Sequence, residues 1–213
     1  MTCVAIRTTP TTTITKTTTK AIVLGLRKHS DKMSVLNVYS RAEGRLALQV
    51  YGAMGKHKVR AAYQPLSVVE ISYDANPSRT IPILSTIDTV YLPEQIYGDI
   101  RRQTVALFVT EMLMLTLTHP MQDEKRYEFI DNFVHELNDT SAPENSHILF
   151  MHRLAEQLGI GVPETANGET IQPAPMTRTR RQQQLRELCN YYMEHVESFR
   201  MPKSLDILTE IFD

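Results

Sequence analysis

Apolar and polar residues alternate at every second position along residues 45–51, a pattern typical of a β-strand with one buried face. Residues 36–41, just before it, alternate in the same way. The short link between them predicts a turn, because Gly44 can adopt a positive φ. The two strands should therefore form a hairpin with six polar or aromatic side chains on one face. These six are Asn37, Tyr39, Arg41, Arg45, Gln49 and Tyr51.

Three further segments predict the rest of a small barrel. Residues 21–26 form an apolar run, and residues 66–73 and 83–92 flank the turn-forming run 74–78. Five short strands with a basic face are typical of a Greek-key barrel of the OB type, whose second and third strands commonly line an oligonucleotide groove. The alternative is a small barrel whose charged face is only solvated.

After Pro93 the period of the apolar positions becomes helical. Pro120 is expected to end the first long helix and Gly159 the third. The predicted helices are 100–119, 124–137, 144–158, 182–196 and 204–212. The fold class is therefore predicted as α+β, a five-stranded OB-type barrel followed by an all-α domain. Its segments are a threonine-rich flexible lead-in (1–19), the barrel (20–92) and the helical domain (93–213), in which 161–176 is a loop.

The distribution of charge indicates a barrel that binds a polyanion. The net charge of the 213 residues is only −1, but residues 1–92 carry 12 basic and 5 acidic residues, a net of +7. The remaining residues carry 11 basic and 19 acidic residues, a net of −8. Such segregation suggests a cationic binding module beside an acidic one. A basic sheet face with aromatic residues is suited to phosphates and stacked bases.

Two clusters of cations extend the candidate sites. The segment 52–60 combines two glycines with Lys56, Lys58 and Arg60, and it is interpreted as a DNA contact, with a solvated loop as the alternative. The second cluster lies at the start of a helix in the acidic half. Helix N-termini do not favour cations, so an acidic partner would explain its position, and a solvated linker end is the alternative. Its members are Arg178, Arg180, Arg181 and Arg186.

The sequence contains no familiar catalytic or metal-binding signature. Glycine-rich phosphate loops, the hydrolase nucleophile elbow and the H-E-x-x-H zinc motif do not occur. Cys3 and Cys189 support neither a disulfide framework nor a cysteine zinc site. His147 and His152 are interpreted as ordinary surface or packing residues rather than ligands. Without an apolar run that could span a bilayer or the apolar centre of a signal peptide, the chain is predicted to be a cytoplasmic protein that is not an enzyme and needs no cofactor.

Several short motifs, taken in order, resemble the RecO family of bacterial recombination mediators. They are KAIVL (20–24), VLNVYSRAEGR (35–45), YGA (51–53), HILF (147–150), LG (158–159), HV (195–196) and PKSL (202–205). The resemblance implies a DNA-repair protein that binds single- and double-stranded DNA and anneals complementary strands. It also implies that the protein works with RecR, engages the acidic C-terminal tail of single-stranded-DNA-binding protein and helps to load RecA.

We assign these partners to the candidate sites on the chain. DNA would contact the six residues of the hairpin face together with Lys56, Lys58 and Arg60, and the acidic tail would bind near Arg153 and the arginines between 178 and 186. Some relatives carry a four-cysteine zinc module after the Leu-Gly helix, but residues 161–176 contain no cysteine, so this chain is predicted to be metal-free. The expected location is the nucleoid. Two alternatives are a protein-interaction adaptor with only incidental DNA contact and a barrel protein that binds RNA.

Overall fold

The first half of the chain folds into a five-stranded barrel, as the alternating pattern predicts. The computed structural model describes residues 15–52, 61–76, 79–161 and 176–212. The strands are β1 (Thr15–Lys28), β2 (Met33–Ser40), β3 (Gly44–Tyr51), β4 (Val68–Ala75) and β5 (Ile83–Tyr91). They close in the order β1-β2-β3-β5-β4, and only β3 and β5 run parallel, joined at Gln49 and Ile83. The predicted fold class, a five-stranded OB-type sheet followed by helices, is confirmed.

Strand β1 begins earlier than the composition suggests. Thr15 pairs with Ala75, and the pairing continues without a break to Ile22 and Val68. The predicted flexible lead-in is therefore wrong for residues 15–19, while residues 1–14 lie outside the described residues. The physical reason is that threonine is β-branched and favours strands, so a threonine-rich run is a good strand wherever a partner edge is available.

The predicted hairpin of β2 and β3 is present, and its inward face is as expected. Even-numbered apolar residues point into the barrel, where Leu36, Val38 and Leu48 are fully buried. The turn ends at Gly44, which has a φ of +72°. An added Cβ at Gly44 would lie 2.1 Å from the backbone oxygen of Met121, so this position requires glycine for its conformation and for the close approach of the chain after the first long helix.

The second half of the described chain is helical. Its helices are α1 (Glu94–Gly98), α2 (Ile100–Thr116), α3 (Glu124–Asp139), α4 (Ser146–Leu158), α5 (Arg178–His195) and α6 (Leu205–Ile211). The five predicted helices are all present with small changes at their ends, and the one-turn helix α1 is an addition. Helix α4 ends at Gly159 in the left-handed conformation, as expected. Most of the predicted loop 161–176 lies outside the described residues.

The barrel and the helices are packed against each other through a shared hydrophobic core. Ile22 and Leu24 of β1 and Tyr39 of β2 belong to the same buried cluster as Phe108 and Met112 of α2. Each of these side chains is at most 1% exposed. Burial of this size stabilises the contact by roughly 1.5–3 kcal/mol per large apolar side chain. The barrel is therefore held in a defined orientation to the helices, while the division of the chain after residue 92 stays a prediction.

Two histidines of α4 are buried among apolar side chains, so of the two interpretations, surface or packing, the structure supports packing. The ring of His147 lies beside those of Phe108 and Phe212, with centroid separations of 6.0 and 5.8 Å. Burial, with a smaller contribution from nearby Arg181, lowers the pKa of His147 to about 3. Burial alone lowers the pKa of His152 to about 4. Both imidazoles are therefore neutral in the folded protein at neutral pH.

This burial predicts that stability falls in mild acid. The unfolded chain binds protons near the ordinary pKa of 6.5 and the folded chain does not, so folding is disfavoured as the pH falls below 6.5. We expect the free energy of unfolding to drop by about 1 kcal/mol per histidine between about pH 6.5 and 5.5, as measured by urea denaturation. His152→Leu should remove about half of the drop, whereas the exposed-site control His29→Gln should preserve it. A stability that is constant across this window would contradict the prediction.

Candidate nucleic-acid interface

The outer face of the β2–β3 hairpin divides into two parts with different surroundings. One part, here named the covered half, consists of Tyr39 and Arg45, which form a cross-strand pair against the helices. The other part, here named the open half, lies at the end of the hairpin where β2 begins and β3 ends. It consists of Arg27, Met33, Val35, Gln49 and Tyr51. The predicted face therefore exists on the sheet, but only part of it is accessible to a ligand.

Arg45 is held at the C-terminal end of α2. Its Nη1 atom donates to the backbone oxygens of Met114 and Leu117, at 3.2 and 3.3 Å, and its Nη2 atom donates to Asn37 Oδ1 at 3.1 Å. The last carbonyls of a helix lack partners within the helix and carry partial negative charge, so a guanidinium is a favourable partner for them. Desolvation lowers the pKa of Arg45. The predicted position of Arg45 on an open DNA-binding face is therefore wrong.

Tyr39 is also unable to present its ring to a nucleic acid in this structure. The side chain is 1% exposed and packs in the core shared with the helices. Burial raises the pKa of its hydroxyl group, and nearby Arg126 partly offsets this effect. The prediction that Tyr39 stands on an open platform is wrong, because the period of two identifies the face of a strand but not what covers that face.

Arg41 lies in the turn after β2 and is paired with the helical domain. Its Nε atom donates to Glu124 Oε1 at 2.6 Å, and its guanidinium carbon lies 5.8 Å from the centre of the Tyr127 ring. The Arg41 side chain is still about half exposed. Its charge is therefore directed toward α3 and is partly neutralised there, at the end of the hairpin that is remote from the open half.

The open half carries the exposed aromatic residue and a row of polar and apolar side chains. Tyr51 is 58% exposed and stands opposite Met33, and its hydroxyl group donates to Gln49 Oε1 at 3.3 Å. Gln49 stands opposite Val35, which in turn pairs with Arg27 of β1. Tyr51 is therefore accessible and Gln49 is partly exposed beside it, while their role in binding DNA stays a prediction. Asn37 lies at the boundary between the halves, where it accepts the hydrogen bond from Arg45.

Arg27 was not among the residues predicted from the sequence. The register of β1 against β2 shifts between Val23 and Gly25, so the side chains after this irregularity change faces. Leu26 then packs with the barrel interior and Arg27 points outward and is exposed. A prediction that ends the strand at residue 26 places Arg27 in a loop. The glycine within an apolar strand was the signal that could have revealed the shift.

Two connections bring further cations to the open half. Lys28 at the end of β1 and Lys32 in the turn to β2 are both exposed, and Lys28 pairs with Asp31 at 2.9 Å. The backbone N–H of Gln49 donates to Pro82 O at 2.8 Å, which places the β4–β5 connection beside the end of β3. That connection carries the exposed Arg79. Lys56, Lys58 and Arg60 follow β3 in the sequence but lie outside the described residues.

The second predicted cluster is only partly brought together. Arg153 of α4 and Arg181 of α5 line one cavity of about 540 Å³, here named the arginine pocket. Its other walls are mainly apolar. They include Phe133, Leu137, Leu149 and Met176. Arg186 lines a different cavity between α5 and α6, and the exposed Arg178 and partly exposed Arg180 lie in the first turn of α5.

Within residues 15–52, 61–76, 79–161 and 176–212, no group of three or more histidine, cysteine, aspartate or glutamate side chains is arranged to hold a metal ion. In these same ranges no helix combines the length and the apolar character needed to cross a bilayer. The thiol of Cys189 is buried, and burial raises its pKa to about 12.

Comparison with known proteins gives matches along most of the chain. A family model described as Recombination protein O N terminal matches residues 14–92, and one described as Recombination protein O C terminal matches residues 97–201. The chain is 25% identical to DNA repair protein RecO of Porphyromonas gingivalis and 26% identical to that of Flavobacterium johnsoniae. Each of these alignments covers 91% of this chain and 98% of the relative.

Proposed function

Because this chain belongs to the RecO family, and therefore to proteins of DNA repair and recombination, we propose that it is a non-enzymatic mediator that binds DNA on the open half of the hairpin face. One observation carries this proposal. The open half places the exposed Tyr51 and the outward-facing Arg27 between two connections that carry exposed cations. This combination is what a single strand requires, since its phosphates need positive charge and its unpaired bases need a surface for stacking.

The contacts can be divided according to the part of the nucleic acid that they meet. Arg27, Lys32 and Arg79 would bind phosphates, and Lys56, Lys58 and Arg60 would extend the same site along the segment after β3. Each phosphate contact releases counterions from the DNA, so the binding would weaken steeply as salt is added. Tyr51 would stack on a base, which contributes about 1–3 kcal/mol in comparable proteins. Such contacts do not depend on base identity, so binding would be largely independent of sequence.

The same arrangement of cations and an open sheet face would promote the annealing of complementary strands. Cations that neutralise phosphates reduce the repulsion between two strands that approach each other. An open sheet face holds the backbone and one stacked base while leaving other base edges free to pair. The protein would therefore promote pairing by concentrating and neutralising strands, without making or breaking a covalent bond. The same cations would also bind duplex DNA through its phosphates.

Annealing by the isolated protein is the test of this function. Two complementary oligonucleotides with a donor and an acceptor dye should pair at least about tenfold faster when the protein is present at low salt, and added salt should abolish the acceleration. The control is the same mixture with non-complementary oligonucleotides. If the protein alone gives no acceleration, the adaptor alternative is favoured. If RNA strands compete better than DNA strands, the RNA-binding alternative is favoured, because that preference requires contacts to the 2′-hydroxyl group.

We also propose that the arginine pocket receives the acidic C-terminal tail of single-stranded-DNA-binding protein. Carboxylates of such a tail would pair with Arg153 and Arg181, and an apolar side chain would enter between Phe133 and Leu149. The pocket lies on the helices, so it could be occupied while DNA is bound to the barrel. The other family-implied partners, RecR and indirectly RecA, would act on the strands presented by the barrel, and the site of action would be the nucleoid in the cytoplasm.

A further inference from the structure

An acidic side chain stands inside the pocket that we assign to an acidic peptide. Glu136 of α3 lines the arginine pocket, and its Oε2 atom accepts a hydrogen bond from Arg153 Nη1 at 2.6 Å. The two side chains are 55% and 47% exposed, so the pair lies at the mouth of the pocket and not in its floor. The carboxylate of Glu136 therefore occupies the position that a carboxylate of the peptide would take on Arg153.

Arg181, the second arginine of the pocket, has different partners. Arg181 Nη1 donates to the backbone oxygen of Met176 at 3.2 Å, and the guanidinium carbon lies 6.0 Å from the centre of the Phe212 ring. Among the described residues Arg181 forms no salt bridge. The other carboxylate that lines the pocket, Glu144, is paired with Arg101 at 3.0 Å. Glu136 is thus the carboxylate that neutralises the pocket itself.

We propose that Glu136 is an internal competitor for the ligand of the arginine pocket. In the free protein it holds the guanidinium of Arg153, and it must release this guanidinium when an acidic peptide binds. The inference rests on the proposed peptide site and adds a determinant of its affinity and selectivity. Exposed ion pairs are weak and open readily, so a ligand with several carboxylates can replace Glu136.

The competition has a consequence for selectivity. When a peptide with one negative charge binds, its carboxylate replaces that of Glu136 on Arg153. The net gain in binding free energy is therefore small. A peptide with several carboxylates can pair with Arg181 at the same time, and this second contact requires no displacement of an internal carboxylate. Glu136 would therefore lower the gain that a peptide obtains from Arg153, so that binding depends on a further carboxylate placed on Arg181.

The test uses the full chain and a fluorescent aspartate-rich peptide that ends in phenylalanine, with binding followed by anisotropy at several salt concentrations. Glu136→Gln should tighten binding by about 2- to 5-fold, the range expected for the loss of one exposed competing pair. It should also steepen the salt dependence, because the pocket gains one unit of net positive charge. The matched control is Glu128→Gln, an exposed residue of the same helix that does not line the pocket.

The results distinguish a failure of the competitor role of Glu136 from a failure of the proposed peptide site. If the wild-type chain binds the peptide, Arg181→Ala weakens binding and Glu136→Gln tightens it beyond the control, both are supported. If Arg181→Ala weakens binding but Glu136→Gln equals Glu128→Gln or binds less tightly, the competitor role is overturned and the peptide site stands. If binding is found only with Glu136→Gln, the competition is supported. If none of these proteins binds, the peptide site and the competitor role are both overturned.

Discussion

The triple variant Arg27→Gln, Lys32→Gln and Tyr51→Ala is expected to bind single-stranded DNA at least about 100-fold more weakly than the wild-type protein at low salt. The loss of one stacking contact alone accounts for about 1–3 kcal/mol, and the two cations add the phosphate contacts. All three side chains are exposed and none of them belongs to the hydrophobic core, so stability should be nearly unchanged. The effect should therefore be a loss of binding and not of folding.

Fluorescence anisotropy over a range of salt concentrations measures both the affinity for DNA and its dependence on salt. Removal of two phosphate contacts should reduce the slope of log K against log salt by about 1.4 for a single strand. A control variant that removes two exposed cations from the helical half, Lys125→Gln with Arg200→Gln, should change affinity and slope far less. If the triple variant keeps the wild-type affinity and slope, the DNA-binding site does not lie on the open half.

Arg45→Met is expected to lower the free energy of unfolding by about 3–5 kcal/mol. Methionine keeps much of the apolar stem but leaves the carbonyls of Met114 and Leu117 without their charged donor at the end of α2. It also removes the hydrogen bond to Asn37 and a favourable charge at the negative end of the helix dipole. Because these bonds join β3 to α2, the variant should weaken the contact between the barrel and the helices.

Urea denaturation followed by circular dichroism measures this change as a shift of the midpoint. Arg45→Lys should keep part of the stability, because an ammonium group can still donate to a carbonyl. Arg27→Gln is the matched control, since it removes an arginine from the open half of the same sheet and should leave the midpoint unchanged. If Arg45→Met unfolds at the wild-type midpoint but binds DNA weakly, the covered half must open in solution and Arg45 would be a DNA contact after all.

Much of the architecture could be predicted from local patterns. The period of two along β2 and β3, together with a glycine at the turn, was sufficient for the hairpin and for its inward face. Apolar periodicity predicted the longer helices, and Gly159 marked the end of α4. These predictions succeed because alternation and helix termination depend on residues close in sequence. The strand at residues 15–19 was missed because its stability depends on pairing with β4, which is distant in sequence.

The candidate site was harder to predict, because it depends on how the two halves pack. Arg45 and Gln49 occupy equivalent positions of one alternating strand, yet helix α2 accepts hydrogen bonds from Arg45 and leaves Gln49 on the open half. Arg27 joined the site only through the register shift in β1. Arg153 and Arg181 meet in one pocket because α4 and α5 are neighbours, whereas Arg186 is directed to another cavity.

The sequence by itself determined the strand and helix pattern, the concentration of positive charge in the first 92 residues and the resemblance to a recombination family. The tertiary structure decided which cations are available to a polyanion and which stabilise the protein. Alternation along a strand reports only that a side chain points outward. Whether it then meets solvent or the carbonyls at the end of a helix depends on elements about seventy residues away, as Arg45 and Met114 show.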